Sequence, residues 1–308
     1  MKKKKPTGGG QGTNGSQIRG VAKSSPAKPP SKAQTDAAKD SAAMPSIEMP
    51  ESVSVRSASL AEDAGYVALK DIAELNIADS RIVGGHMVSL HVYRHGLTLH
   101  RATSDADLGL TPVVLKTNEA TTQLRAMGYE RAKGNRYAKP IANMVSETGP
   151  VLAEIDLLVA GYSSRMRDSV QHGETNTTEV PGLSLAFQRP SVVVQAHIRF
   201  SDESEAEFGV TLPDEVSALA IKALTTQVRS KDSDAVDVWR CLEVCRSAGI
   251  KNVDFGSEAV AVDRILRRDF TSNGSGTKSV IAAQSLNAEQ AAKRSTRLTA
   301  LVNEVLPS

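Results

Sequence analysis

The sequence predicts an α/β (α+β) chain, a mixed sheet with flanking helices followed by a helical C-terminal half. Two patterns carry this. Short apolar runs alternate with helical-period segments from Gly65 to about Leu212, and after Pro213 nearly every stretch has helical spacing. The length, 308 residues with 40% hydrophobic side chains, is enough for two packed cores.

The first segment stands apart. Residues 1–60 hold ten Lys+Arg against four Asp+Glu, and the remainder holds 27 against 31, so the basicity belongs to the N-terminal tail. Residues 1–58 are rich in Lys, Gly, Ser, Pro and Ala and lack aromatics, which predicts a disordered basic tail. Its GGGQGTNGS has phosphate-loop glycines but neither a Lys nor a preceding strand, and reads as linker. The lysines Lys2 to Lys5 resemble the start of a signal peptide, yet no apolar run follows, and no span of membrane length occurs. A cytoplasmic protein with no membrane partner is the expectation. Low aromatic content, 4%, offers little base-stacking surface.

The predicted α/β domain covers 59–212. GYVALKDIAELNIADS reads as an amphipathic helix, RIVGG as a short strand ending in two glycines, and HMVSLHVYRHG as a helix closed by Gly96. SDADLGL is apolar at alternate positions and reads as a strand. A helix over Thr117 to Met127, strands NRYAKPI and VLAEIDLLVAG, and a hairpin of SVVVQAHIRF and EAEFGVTL around SDES complete the mixed sheet. The helical domain, 213–308, begins with Pro213 at a helix start and Asp214 and Glu215 in the first turn. Four helices follow, within PDEVSALAIKALTTQVRS, DSDAVDVWRCLEVCRSAG, SEAVAVDRILRRDF and LNAEQAAKRSTRLTALVNEVL. No fixed-period repeat is present.

The strand RATSDADLGL raises a chemical question, because Asp105 and Asp107 share one face of an otherwise apolar strand. Two carboxylates so close repel, and a divalent cation keeps both ionised. Asp156, flanked by Ile155 and Leu157 in another strand, is the natural third ligand; Glu154 on the same face is the alternative. Hard oxygen donors without nearby Cys or His select Mg²⁺ (or Mn²⁺) over zinc. The rival reading of the acid pair is a solvated edge strand. Gly84 and Gly85, at a strand-to-helix junction, let a triphosphate approach bare backbone and helix N-terminal amides, or else form a tight turn.

Glycine pair, RATSDADLGL and AEIDLLV in this order resemble the core signature of the nucleotidyltransferase fold, and ALAIKALTTQVRSKDSDAVDVWRCL resembles the helical motif of the abortive-infection AbiEii/AbiGii toxin nucleotidyltransferases. The resemblance covers roughly residues 65–250. It implies a nucleotidyltransferase-like sheet, and metal and catalytic roles for Asp105, Asp107 and Asp156. It places triphosphate contacts at Gly84 and Gly85, Lys222 on the nucleotide phosphates, and Asp237 where it orients that lysine. It further implies NTP as substrate, RNA (the tRNA 3′ end) as acceptor, and a toxin with an antitoxin encoded nearby. Where many such enzymes have Ser after the glycines, this chain has His86, which either donates to phosphate from its ring or caps the helix. Other readings of the same chain are transfer to a protein or a small molecule such as an aminoglycoside, and a catalytically silent binding module.

Several side chains keep two readings. Lys222 either snorkels from an apolar helix face or faces phosphate together with Arg229, seven residues on. Asp232, Asp234 and Asp237 are partly explained by helix capping. Arg264, Arg267 and Arg268, like Lys293, Arg294 and Arg297, are either solvated helix faces or RNA phosphate contacts. Cys241 and Cys245 fit one face of a reduced core; they make half a zinc site that no second pair completes. His91, His95 and His100 read as surface or packing residues, with metal-like spacing only in the first pair.

Overall fold

A computed structural model describes residues 51–162, 166–228 and 231–306. The tail residues 1–50, the glycine-rich GGGQGTNGS among them, and Arg229 lie outside the described residues. Strand β1 (Glu51–Arg56) leads to helix α1 (Leu60–Glu74), β2 (Ser80–Val83), α2 (Gly84–Arg94) and β3 (Asp105–Leu110). Helices α3 (Pro112–Lys116) and α4 (Glu119–Ala126) precede β4 (Glu130–Lys133), β5 (Arg136–Ser146), β6 (Gly149–Ala160), β7 (Arg167–His172) and β8 (Thr175–Val180). Helix α5 (Leu183–Gln188) then leads to the hairpin β9 (Ser191–Arg199) and β10 (Glu205–Pro213). The remainder is helical: α6 (Glu215–Thr225), α7 (Asp232–Ser247), α8 (Ala259–Asp269), α9 (Ser275–Ala283) and α10 (Ala288–Val305). The architecture is mixed α/β with a helical C-terminal half.

The strands form two sheets. One has the order β1-β9-β10; the other runs β2-β3-β6-β5-β4, with β8 also on β6 and β7 on β8. Both are mixed: β1 is parallel to β9 and β3 to β6, whereas β10, β2 and β5 run antiparallel to their neighbours.

Strand β1 corrects the expected tail boundary. Residues 51–56 fall within the span expected to be disordered, yet they pair with β9 from Glu51↔Val194 to Arg56↔Arg199. Val53 and Val55 are buried at alternate positions, enough to hold a short strand once a partner is offered. A second correction concerns Pro213. It closes β10, and Asp214 caps α6 by accepting a hydrogen bond from Ser217 N at 2.9 Å.

Two hydrophobic cores hold these layers. One gathers α1, the inner faces of β3 and β6, and the β1-β9-β10 sheet, with Leu69, Leu108, Ile155, Ala196 and Leu212 among its buried members. The other joins α5 to the helices from α6 onward through Leu183, Leu219, Leu242, Phe270 and Leu301. Helix α2 serves both, giving Leu90 to the first and Met87, Val88 and Val92 to the second. Packing therefore runs without a break across residues 212 and 213. Among the described residues no helix is long and apolar enough to cross a membrane.

Candidate functional site

The alternation in β3 settles which way each side chain points. Ala106 and Leu108 are buried, so Asp105 and Asp107 project from the opposite face. The same rule in β6 buries Ala153, Ile155 and Leu157 and turns Glu154 and Asp156 outward. The parallel register sets Asp105 beside Glu154 and Asp107 beside Asp156, so four carboxylates share one patch of sheet. Cross-strand neighbours stand about 5 Å apart, close enough for like charges to repel.

An arginine answers that repulsion. Arg136, opposite Asp156 in the antiparallel β5–β6 pair, donates from Nε and Nη2 to Asp156 at 2.9 and 2.7 Å. Its guanidinium also reaches Glu154 at 2.7 Å and Asp105 at 2.9 Å. The hydrogen bond to Asp156 and the three carboxylate charges raise the Arg136 pKa. The donor set has the hard-oxygen chemistry of a Mg²⁺ site, but Asp105, Asp107 and Asp156 do not bring three ligand atoms within 4.8 Å of one another. In this structure one arginine bridges three of the four carboxylates of the acid face.

The glycine pair packs directly against this face. Gly84 has φ +67°, and a Cβ there would lie 1.7 Å from Asp107 Oδ2. A Cβ on Gly85 would lie 2.6 Å from Thr103 Oγ1 and 2.8 Å from the Arg101 guanidinium. Only glycine lets the first turn of α2 approach so closely. The α2 N-cap is Val83, with no side-chain cap, so the first amides of this helix have no side-chain partner at that position.

His86 takes neither expected role. Its ring is fully buried against α1, 5.0 Å between centroids from Tyr66, and a Cβ on Gly65 would lie 2.7 Å from its Nε2. Burial lowers its pKa to about 4, with the Asp105 charge opposing the shift, so the imidazole is a neutral packing group.

Across a cleft from α2, Lys222 and Asp237 meet. The cleft, about 330 Å³, is lined by Gly84, Asp107, Asp156, Asp168, Thr178 and Lys222. Lys222, buried on α6, donates to Asp237 Oδ2 at 2.8 Å. Asp237, on α7 and only 1% exposed, also receives Arg101 at 2.9 and 3.0 Å and Arg240 at 3.0 Å. Burial pushes the Asp237 carboxyl up, but Lys222, Arg101 and Arg240 outweigh it and hold the pKa below the usual range. Three cations thus share one carboxylate beside the glycine pair.

Sequence reasoning missed Arg101, Arg136 and Arg240. Arg101 opens the very stretch that carries the acid pair, but nothing local tied it to Asp237. Arg240 lies one helical turn after Asp237, a spacing that in hindsight signals a pair. The basic clusters are largely ion-paired: Arg267 with Asp263, Arg268 with Asp269, Lys293 with Glu289 and Arg297 with Glu243. Arg294 stacks over Trp239, 3.8 Å from the ring centroid.

No protein-family model matches the sequence, and no curated protein does. Among solved structures, the crystal structure of an antigenic nucleotidyltransferase-like protein from Paracoccidioides brasiliensis aligns with 81% of this chain and 94% of its own, at 15% identity and a TM-score of 0.38.

Proposed function

We propose that this chain transfers a nucleotidyl group from an NTP to an acceptor hydroxyl in the cleft between α2 and α6. One observation carries the reading: Lys222, Arg101 and Arg240 crowd a single carboxylate at the uncapped start of α2, opposite the Asp107 and Asp156 carboxylates. Within this hub three cations meet one carboxylate, and a triphosphate would add negative charge on their side of the cleft. The α2 amides and Lys222 hold its phosphates, and glycine at position 84 lets the Asp107 carboxylate come up against the same turn. Asp105, Asp107 and Asp156 would hold the Mg²⁺ or Mn²⁺ that travels with the nucleotide and supplies charge to the departing pyrophosphate. Asp156 accepts the acceptor's hydroxyl proton as its oxygen bonds to the α-phosphorus and the bond to pyrophosphate breaks.

Following the family resemblance, the acceptor is RNA at the tRNA 3′ end, and the biological role is that of a toxin neutralised by an antitoxin encoded nearby. A second reading has its own observation. Arg136 already occupies Asp105, Glu154 and Asp156, which suits a catalytically silent nucleotide-binding module.

Labelled NTPs incubated with total RNA and Mg²⁺ distinguish the two. Label in RNA that Asp107→Ala abolishes supports transfer. Nucleotide binding that needs no metal, with no label in RNA, protein or small acceptors, supports the silent module. Lys222→Met should lower kcat/KM by about 3 kcal/mol, a hundredfold or more, through loss of one positioned charge. A protein that binds no NTP with or without Mg²⁺ refutes both.

A further inference from the structure

At the far end of α2 from the glycines, three side chains converge on one point. His91 lies in the last turn of α2, His95 caps that helix at its C-terminus, and Glu215 opens α6. His95 Nε2 is 2.9 Å from Glu215 Oε1, His91 Nδ1 is 4.0 Å from the same oxygen, and all three ligand atoms lie within 4.8 Å of one another.

His91 shows what the cluster lacks. Its ring is 1% exposed, and Nε2 donates to the Pro213 carbonyl at 2.9 Å, which places the proton there and leaves a lone pair on Nδ1. That Nδ1 is buried with no hydrogen-bond partner among the described residues, and it faces Glu215, itself an acceptor. Glu215 Oε1 takes Arg94 Nη1, which also stands 3.3 Å from His95 Nε2, so a bound cation would replace that guanidinium and give His91 Nδ1 the partner it lacks. A ring N–H held by a backbone carbonyl is also how proteins orient an imidazole toward a metal.

We propose that His91 Nδ1, His95 Nε2 and a Glu215 carboxylate oxygen bind a borderline divalent transition cation, with zinc as its representative. Two imidazoles and one carboxylate are a donor set zinc accepts. Ligand atoms about 2.0–2.1 Å from a tetrahedral ion stand roughly 3.4 Å apart, and the observed 2.9 and 4.0 Å bracket that spacing. Glu215 Oε1 already meets the His95 ring and the Arg94 guanidinium, so the carboxylate faces positive partners at this point. Arg94, which pairs with Glu215 in this structure, also grips Glu51 through two nitrogens and keeps that partner when Glu215 turns to a cation. His95 moves its ring proton to Nδ1 on coordination, so no base is consumed. The buried Cys245 thiol donates to the Glu215 main-chain carbonyl at 3.8 Å and is not among the ligand atoms that lie within 4.8 Å of one another. A cation here ties α2, which begins with Gly84, to α6, which carries Lys222.

The test uses the full chain, stripped with chelator and titrated with Co²⁺, then Zn²⁺. About one equivalent of Co²⁺ should give the intense visible absorption of a tetrahedral site, Zn²⁺ should abolish it, and excess Mg²⁺ should not. Saturating Zn²⁺ should raise Tm by about 5 °C or more. His95→Gln and Glu215→Gln, with native circular dichroism, should lose both effects. Should Glu215→Gln not fold, His95→Gln at its half-buried position makes the comparison. Only the weak absorption of hydrated Co²⁺, or an undiminished band in His95→Gln, would overturn the site.

Discussion

Replacing Asp237 by Asn tests the charge hub directly. The substitution keeps the shape of the side chain and removes the one carboxylate that, among the described residues, meets Lys222, Arg101 and Arg240. Breaking a buried ion pair from one side costs about 3–5 kcal/mol, because the partner charges stay desolvated without compensation. For a folded region of this size each kcal/mol shifts Tm by about 2–4 °C, so a fall of roughly 6–20 °C is expected. Lys222→Met is the control from the other side. Asp237 then keeps both Arg101 bonds and Arg240, and one of three crowded cations is gone, so its stability cost should stay within about 1 kcal/mol. Urea unfolding of the three proteins measures this, with and without saturating tripolyphosphate. The anion should restore more stability to Asp237→Asn than it adds to the parent, since it supplies the missing negative charge. Equal destabilisation by Asp237→Asn and Lys222→Met would show that the cations are not in excess. Failure of tripolyphosphate to favour Asp237→Asn would show that the hub does not face an anion site.

Gly84→Ala should destabilise the fold by about 1–3 kcal/mol and displace Asp107, because the new Cβ meets Oδ2 in a left-handed backbone; thermal melting and nucleotide titration read the two effects, and an unchanged protein would remove the close approach. A chain beginning at residue 59 should be less stable than one beginning at residue 51 by up to about 3–6 kcal/mol, the worth of burying Val53 and Val55, and equal Tm values would return β1 to the tail. His86 makes the fold acid-sensitive. Its folded pKa, about 4, lies below that of the unfolded chain, so between about pH 6.5 and 4 only the unfolded form takes up the proton, and stability falls with pH by about 3 kcal/mol. His86→Leu should flatten that part of the profile in urea titrations, and an unaltered slope would mean that another group sets it.

The outward face of β3 was legible because period-2 alternation fixes it locally, and Asp156 was legible because Ile155 and Leu157 flank it in the same pattern. Placing Asp107 beside Asp156 required that the two strands be neighbours and run parallel in this register, as they do. Arg136 was not legible. It reaches the acids through the register of β5 on β6, whose pairing shifts between Pro140 and Val145, and no periodicity reports such a register. Strand β1 was hidden for a related reason: its partner β9 lies far along the chain, and a lone ESVSVR behind a Pro- and Lys-rich stretch has no local turn to mark it as a strand. His86 was misjudged because its position after two glycines suggested a phosphate contact, whereas the helical turn points residue 86 inward to α1.

The hub also divides its cations by the work left to them. Arg240 spends its guanidinium on neutral acceptors as well as Asp237, giving Nε to the Leu99 carbonyl at 2.8 Å and Nη2 to Ser89 Oγ at 3.0 Å. Those bonds pin α7 to α2 and to the segment before β3, so Arg240 is a strut whose loss would loosen the site. Lys222 has three N–H donors and one described acceptor, Asp237, and it lines the cleft; Arg101 stands against Gly85 with its side chain 26% exposed. These two retain N–H donors that the proposed triphosphate would take, and their shared carboxylate holds them together. Burying such a cluster for stability alone is unfavourable, since apolar residues of similar volume serve a core as well or better. The proposed anion site rests on this cluster, which enters the cleft through Lys222, where Gly84 and Asp107 also line it.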